Sequence, residues 1–314
     1  MSILIWLFSV FFFIHSESRI LDLSRQENVT ISDVDINDLF VQIYTRANPI
    51  GDRVNLTDGS NVASLSSFDI NLETFIYIHG WEDTISLPAS TLIKNSLLVA
   101  TDANVLLLSW DKCADNANYA VSWGCVGGTG SFLGEFLKAI RKSYGYSLDN
   151  VTIIGHSLGA HIAGFTGKNT GAAVGVIVGL DPASPLFFEG DKNHRLNERD
   201  AKYVQAIHTC ATGVVGVTYS VGISDFWPNG GSHQPGCGLD VFKCPHLRAI
   251  DYYAESLLSD GFVGQNCNSY LDYELGRCGD ATKSVMGGLN VNKEANGSYY
   301  LNTNDKPPYA KGDV

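Results

Sequence analysis

Residues 151–160 read VTIIGHSLGA, an apolar, β-branched run that stops at Gly155 and resumes beyond Gly159 as the start of a helix. A serine set in the tight turn between a strand and a helix has its hydroxyl pushed clear of the backbone. Such a turn leaves room for only minimal side chains two residues to either side. Gly155 and Gly159 supply that room around Ser157. The bare G-x-S-x-G pattern arises by chance about 0.3 times in a chain of this length and composition. Its setting carries the inference: Val151, Ile153 and Ile154 form a buried parallel-strand signal before it, and Leu158, Ala160, Ile162 and Ala163 open a helix after it. The chain is therefore expected to be an α/β protein with a serine at the tip of a strand.

A serine hydroxyl at its ordinary pKa is a poor nucleophile. It needs a base, and the base needs an anion to hold its tautomer and stabilise its charge. Residues 176–180 form another short aliphatic run, and it ends in Asp181-Pro182. That places a carboxylate at a strand's C-terminal end, where ligands and catalytic groups of open parallel sheets collect. The chain from Ser157 to Asp181 has room for one helix and one strand, so the two residues are expected at neighbouring strand ends. Serine, then aspartate, then histidine is the chain order of the α/β-hydrolases.

Four histidines follow Asp181: His194, His208, His233 and His246. His246 is the expected base, because it lies in CPHLRA, a Pro-led helix start held by a cysteine. His208 ends the strand-like run 203–207 and reads as a structural, hydrogen-bonding histidine, whereas His194 and His233 lie in polar loops and read as solvated. The oxyanion of a tetrahedral intermediate also requires backbone N–H donors. Leu158, directly after the serine, is one expected donor; Trp81, in His79-Gly80-Trp81 after the run 75–78, is the other. Taken alone, His-Gly-Trp reads as a tight turn with a buried aromatic.

These pieces together resemble the pancreatic lipase family of animal lipases and phospholipases A1, over residues 75–278 and in the ordered segments IHGW, GHSLGAHIAG, GLDPASP, RDAKYVQAIHT, DFWPNGG, QPGC and CPHLRA. The resemblance implies an α/β-hydrolase fold, with a central, mostly parallel sheet flanked by helices. It carries the catalytic serine, aspartate and histidine to Ser157, Asp181 and His246, and the oxyanion hole to Trp81 and Leu158. It pairs Cys237 with Cys244 and Cys267 with Cys278. Cys113, Cys125 and Cys210 are then left to provide one more bridge and one free thiol, with the choice open.

Two departures bear on substrate. In the digestive triglyceride lipases of the family a long disulfide-bounded loop forms an amphipathic lid, but here only six residues separate Cys237 from Cys244. Six residues span about 9 Å even if fully helical, too little for a lid of several turns. The site is expected to stand permanently open. The segment between His208-Thr209 and Asp225-Phe226 is also short, and its alternating Val215, Val217, Tyr219, Val221 and Ile223 read either as a half-buried strand or as an acyl-chain contact surface. A short lid with a shortened loop resembles the phospholipase A1 branch, including the insect venom enzymes. Related triglyceride lipases carry a further β-sandwich domain; only residues 279–314 follow Cys278, so a single domain without it is expected.

The first 18 residues, MSILIWLFSVFFFIHSES, contain an apolar run of secretory length with small residues for cleavage. Residues 1–18 are therefore expected to be a signal peptide and residues 19–314 the lipase domain of a secreted, extracellular protein. An odd set of seven cysteines without metal-ligand spacing fits disulfides, and Asn28, Asn55, Asn150 and Asn296 are glycosylation sequons, that at Asn150 expected to be poorly accessible. The formal net charge of −12 argues against nucleic acid and against electrostatic capture by anionic membranes. Binding to a lipid membrane or micelle interface would rest on apolar contacts.

Some relatives hold a structural calcium near the region that here contains Arg195, Asn197 and Asp200. Most of the expected carboxylates are missing, so no metal and no cofactor are expected. A colipase-type partner is not expected either, and the chain reads as a monomer. The expected function is phospholipase A1 activity by a Ser-Asp-His triad. Its alternatives are a triacylglycerol lipase or galactolipase with the same triad, and a non-catalytic yolk-type lipid-binding or storage protein, which lacks the serine present here.

Overall fold

Runs of apolar residues with no polar alternation can be covered only in a sheet with helices on both faces. In the computed structural model, which describes residues 34–312, those runs are the central strands. The signal-peptide assignment and the sequon at Asn28 lie outside the described residues. Eleven strands are present among the described residues: β1 (Phe40–Tyr44), β2 (Asp52–Asn55), β3 (Thr74–Ile78), β4 (Asn104–Ser109), β5 (Val151–His156), β6 (Val176–Leu180), β7 (Tyr203–Ile207), β8 (Ser224–Pro228), β9 (Val263–Asn266), β10 (Lys283–Val285) and β11 (Gly297–Leu301). They form one sheet in the order β10-β9-β11-β8-β7-β6-β5-β3-β4-β1-β2. The block from β11 to β4 is parallel, and antiparallel pairs close both edges.

Among the described residues four long helices cover the sheet: α1 (Pro88–Ala100), α2 (Tyr119–Tyr144), α3 (Leu158–Asn169) and α4 (Lys243–Ser256). The two-residue period of a strand divides the core between the faces. Ile76 and Ile78 of β3 join the cluster with Phe136, Leu137 and Ile162 of α2 and α3. Phe75 and Tyr77, one residue out of step, join Ile93, Leu97, Ile250 and Tyr253 of α1 and α4. Helices α2 and α3 approach closely because a Cβ on Gly130 would stand 2.6 Å from the Ile162 carbonyl oxygen. This is the α/β-hydrolase arrangement.

The topology also fixes where a site can form. From β3 the chain builds outward to β4, then returns to lay β5 on the other side of β3. The strand order reverses between β3 and β5, and the loops leaving their C-terminal ends diverge there and open a crevice. Those loops are His79-Gly80-Trp81 and the turn at Ser157.

Candidate active site

Ser157 lies between β5 and α3 with φ 57° and ψ −119°, a left-handed conformation that costs a non-glycine residue about 1–3 kcal/mol. Close packing enforces the turn. A Cβ on Gly155 would fall 2.3 Å from the Gly159 carbonyl oxygen, and one on Gly159 would fall 2.2 Å from that of Ile78. The first turn of α3 is thereby pressed against the end of β3. The Ser157 N–H donates to the Leu180 carbonyl at 3.0 Å, tying the turn to β6.

Asp181 follows β6 and is fully buried. Its Oδ1 accepts from the backbone N–H groups of Thr209 and Cys210, both at 2.8 Å, while its Oδ2 lies 2.5 Å from Nδ1 of His246. His246 stands in the first turn of α4. That helix begins at Lys243, ahead of the Pro245 start that the sequence marks, because the Asp240 carboxylate accepts from the N–H groups of Phe242, Lys243 and Cys244. Ser157 and His246 line one cavity of about 450 Å³, within the range of small-molecule pockets, together with Trp81, Leu87, Tyr119, Val214, Val215, Phe242 and Leu247. The structure thus brings Ser157 and His246 to one cavity, with Asp181 buried behind His246.

Trp81 is beside them. A Cβ on Gly80 would lie 2.9 Å from Cβ of Ser157, so the His79-Gly80-Trp81 loop passes directly over the serine. The loop is held from behind: Trp110 donates Nε1–H to the His79 carbonyl at 3.1 Å, His79 pairs with Asp111 at 3.0 Å, and Trp81 donates Nε1–H to the Asn116 carbonyl at 2.7 Å. The Leu158 side chain is buried in the core, so its expected part rests on its N–H in the first turn of α3, where such groups have no partner within the helix.

The remaining histidines separate by environment. His208 pairs with Asp225 at 2.7 Å and stacks on Trp227, both rings buried, as the structural reading expects. His194 pairs with Asp191 at the surface, and His233 is exposed. Sequence reasoning missed two residues. His156, treated as the free position of G-x-S-x-G, is buried and donates Nε2–H to the His246 carbonyl at 3.1 Å. Cys210, whose N–H donates to Asp181, links that residue's surroundings to the loop before α4 through a long contact from Sγ to the Phe242 carbonyl, 3.4 Å. Neither contact has a local sequence signal, since each spans at least 32 residues.

The bridges Cys237–Cys244 and Cys267–Cys278 are present, and the third joins Cys113 to Cys125, leaving Cys210 as the thiol. The alternating segment before Asp225 is not a strand; it makes one isolated bridge, Ala183 with Gly216. That bridge passes tightly beside the acid-bearing strand end, because a Cβ on Gly216 would lie 2.8 Å from the Asp181 carboxylate. Val214 and Val215 instead line the cavity. The sequon residue Asn150 is exposed, contrary to expectation, because it precedes β5 in a short surface turn.

Residues around Asp200 do not fit a structural calcium, which takes six to eight oxygens. The Asp200 carboxylate already accepts from Lys168 Nζ at 2.7 Å and from the Asn197 N–H at 2.9 Å. The carbonyls of Phe188, Glu189 and Leu196 accept from the Arg195 guanidinium.

An α/β-hydrolase sheet with a strained serine turn at its switch point defines a class of protein. Within it, the family model described as Lipase matches residues 15–309. The chain is 34% identical to pancreatic triacylglycerol lipase of Mus musculus over 89% of its length and 66% of that protein's. It is 36% identical to lipase member H-A of Xenopus laevis, covering 76% of this chain and 53% of that one. Pancreatic lipase-related protein 2 of Cavia porcellus is 35% identical, over 77% and 57%. The chain belongs to the pancreatic lipase family, and it spans between half and two thirds of the length of these curated relatives.

Proposed function

We propose that this protein is a secreted serine carboxylester hydrolase that cleaves acyl esters of lipids, with phospholipase A1 as its activity. The observation that carries the reading is the Asp181–His246 pair at 2.5 Å, with His246 lining the same cavity as the strained Ser157. In this mechanism His246 takes the Ser157 proton as the hydroxyl attacks the ester carbonyl, and Asp181 holds the imidazole and stabilises its positive charge. The N–H groups of Trp81 and Leu158 receive the oxyanion. The acyl-enzyme forms as the alcohol leaves with the proton from His246, and water then repeats the sequence to free the fatty acid. No cofactor enters these steps.

Substrate choice rests on the mouth of the cavity. The Cys237–Cys244 loop is short; its Asp240 and Phe242 line the cavity, while its Leu239 is fully exposed and Val241 half exposed, so it offers apolar contact to a lipid surface beside the site. A loop of six residues between the bridged cysteines is too short for a helical lid, which favours a polar head group beside the reacting ester. The triacylglycerol reading is favoured by one observation, the 34% identity to a protein named pancreatic triacylglycerol lipase. A positional assay on defined phosphatidylcholine, triglyceride and galactolipid separates them: release of the sn-1 acyl chain from phosphatidylcholine supports phospholipase A1, and faster cleavage of long-chain triglyceride rejects it.

A further inference from the structure

We propose that His156 is a positioning residue for the base: fixed to the strand that presents the nucleophile, it sets where His246 stands relative to Ser157. The proposal rests on the triad reading above. His156 is the last residue of β5 and the immediate neighbour of Ser157. Its ring lies 4.4 Å from that of His246, and its Nε2–H donates to the His246 carbonyl at 3.1 Å. A carbonyl oxygen has two lone pairs, so this bond can be made in addition to a helical one. On its other side the ring is walled by the oxyanion loop, since a Cβ on Gly80 would stand 3.2 Å from Nδ1. The imidazole is a spacer wedged between Gly80 and His246, 3% exposed.

The other restraints on His246 come from downstream segments. Asp181 belongs to the end of β6, Asp240 caps α4, and Phe242 accepts the His246 N–H at 3.1 Å. Through them alone, the Ser157–His246 separation would depend on the packing of β6 and α4 against β5. His156 measures that separation directly from β5.

Its electrical state suits the task. With Nε2–H donating, Nδ1 is bare and buried with no hydrogen-bond partner among the described residues, so the ring is neutral. Burial holds its basicity well below the ordinary histidine range, with His246 as the next cause and His79 a smaller one. When His246 takes the Ser157 proton, a neutral neighbour does not oppose the new charge.

The test compares His156→Leu, which removes the donor, with His156→Gln, whose amide N–H can reach the same carbonyl. Turnover of a soluble p-nitrophenyl ester is counted per serine titrated with a p-nitrophenyl phosphonate, so that misfolded molecules drop out. A base displaced on the ångström scale predicts kcat about 10- to 100-fold lower in His156→Leu with KM within about twofold, and recovery to within about threefold in His156→Gln. Leucine turnover within about threefold of the parent overturns the proposal, as does glutamine that is no better than leucine. If His156→Leu yields no titratable serine, His156→Phe replaces it under the same criteria. Full activity of Ser157→Ala, run alongside, would instead reject the triad reading itself.

Discussion

Replacing Asp181 by Asn exchanges a carboxylate oxygen for an NH₂ group of nearly the same size, yet the geometry forces one outcome. The amide has one acceptor oxygen and one donor nitrogen. The Oδ1 position faces the N–H groups of Thr209 and Cys210, each 2.8 Å away, so the amide oxygen must go there. The NH₂ then points at Nδ1 of His246, which must accept, and the imidazole proton moves to Nε2. A ring protonated there cannot take a proton from Ser157. The same exchange in another serine triad lowers kcat by about 10⁴, equivalent to about 5.4 kcal/mol of transition-state stabilisation. Stability should fall far less, about 1–3 kcal/mol, because both backbone donors keep an acceptor and only the charge assistance is lost. Soluble-ester turnover and thermal midpoint, measured on one preparation, decide the matter. An Asp181→Asn protein that folds normally and turns over within about tenfold of the parent would refute the tautomer argument.

Three further outcomes are expected. Ser157→Gly should abolish turnover while raising stability by about 1 kcal/mol, because glycine relieves the φ of 57°; a lowered urea midpoint would show that the turn is not strained. Burial holds His161 down to about 3, so the unfolded chain takes up its proton first, and stability is lost as pH falls from about 6.5 towards 3. At full slope this is about 1.4 kcal/mol per pH unit, and urea unfolding of His161→Gln should be correspondingly flatter with pH; identical slopes would remove His161 as the cause. Leu239→Ser with Val241→Ser should weaken binding to phosphatidylcholine vesicles about 10- to 100-fold and leave soluble-ester turnover intact, whereas unchanged vesicle binding would remove this loop from the lipid-facing surface.

The central strands were legible in the sequence because parallel strands buried on both faces must be nearly continuous apolar runs, as residues 75–78, 151–154 and 176–180 are. The Ser157 turn was legible because its glycines are required within two residues of the serine. Of the two readings of the alternating 215–223 segment, the strand fails, while Val215 lines the cavity. The segment's valines are buried as a strand's would be, with Val217 at 0% and Val221 at 1% exposure, but it makes a single bridge, at Gly216 beside Asp181. The His156 and Cys210 contacts were illegible because they join segments distant in the chain, and only the assembled sheet brings those segments together.

Cys210 has a consequence for redox chemistry. Three bridges use six cysteines and leave this one thiol unpaired among the described residues, in a chain expected to be exported to an oxidising compartment. The attacking species in disulfide exchange is the thiolate. Burial, with the Asp181 carboxylate adding to it, pushes the Cys210 thiol far above its ordinary range. The folded protein therefore holds its odd sulfur buried and in the thiol form, which is not the attacking species in exchange, and it does so with the same enclosed anion that steadies His246.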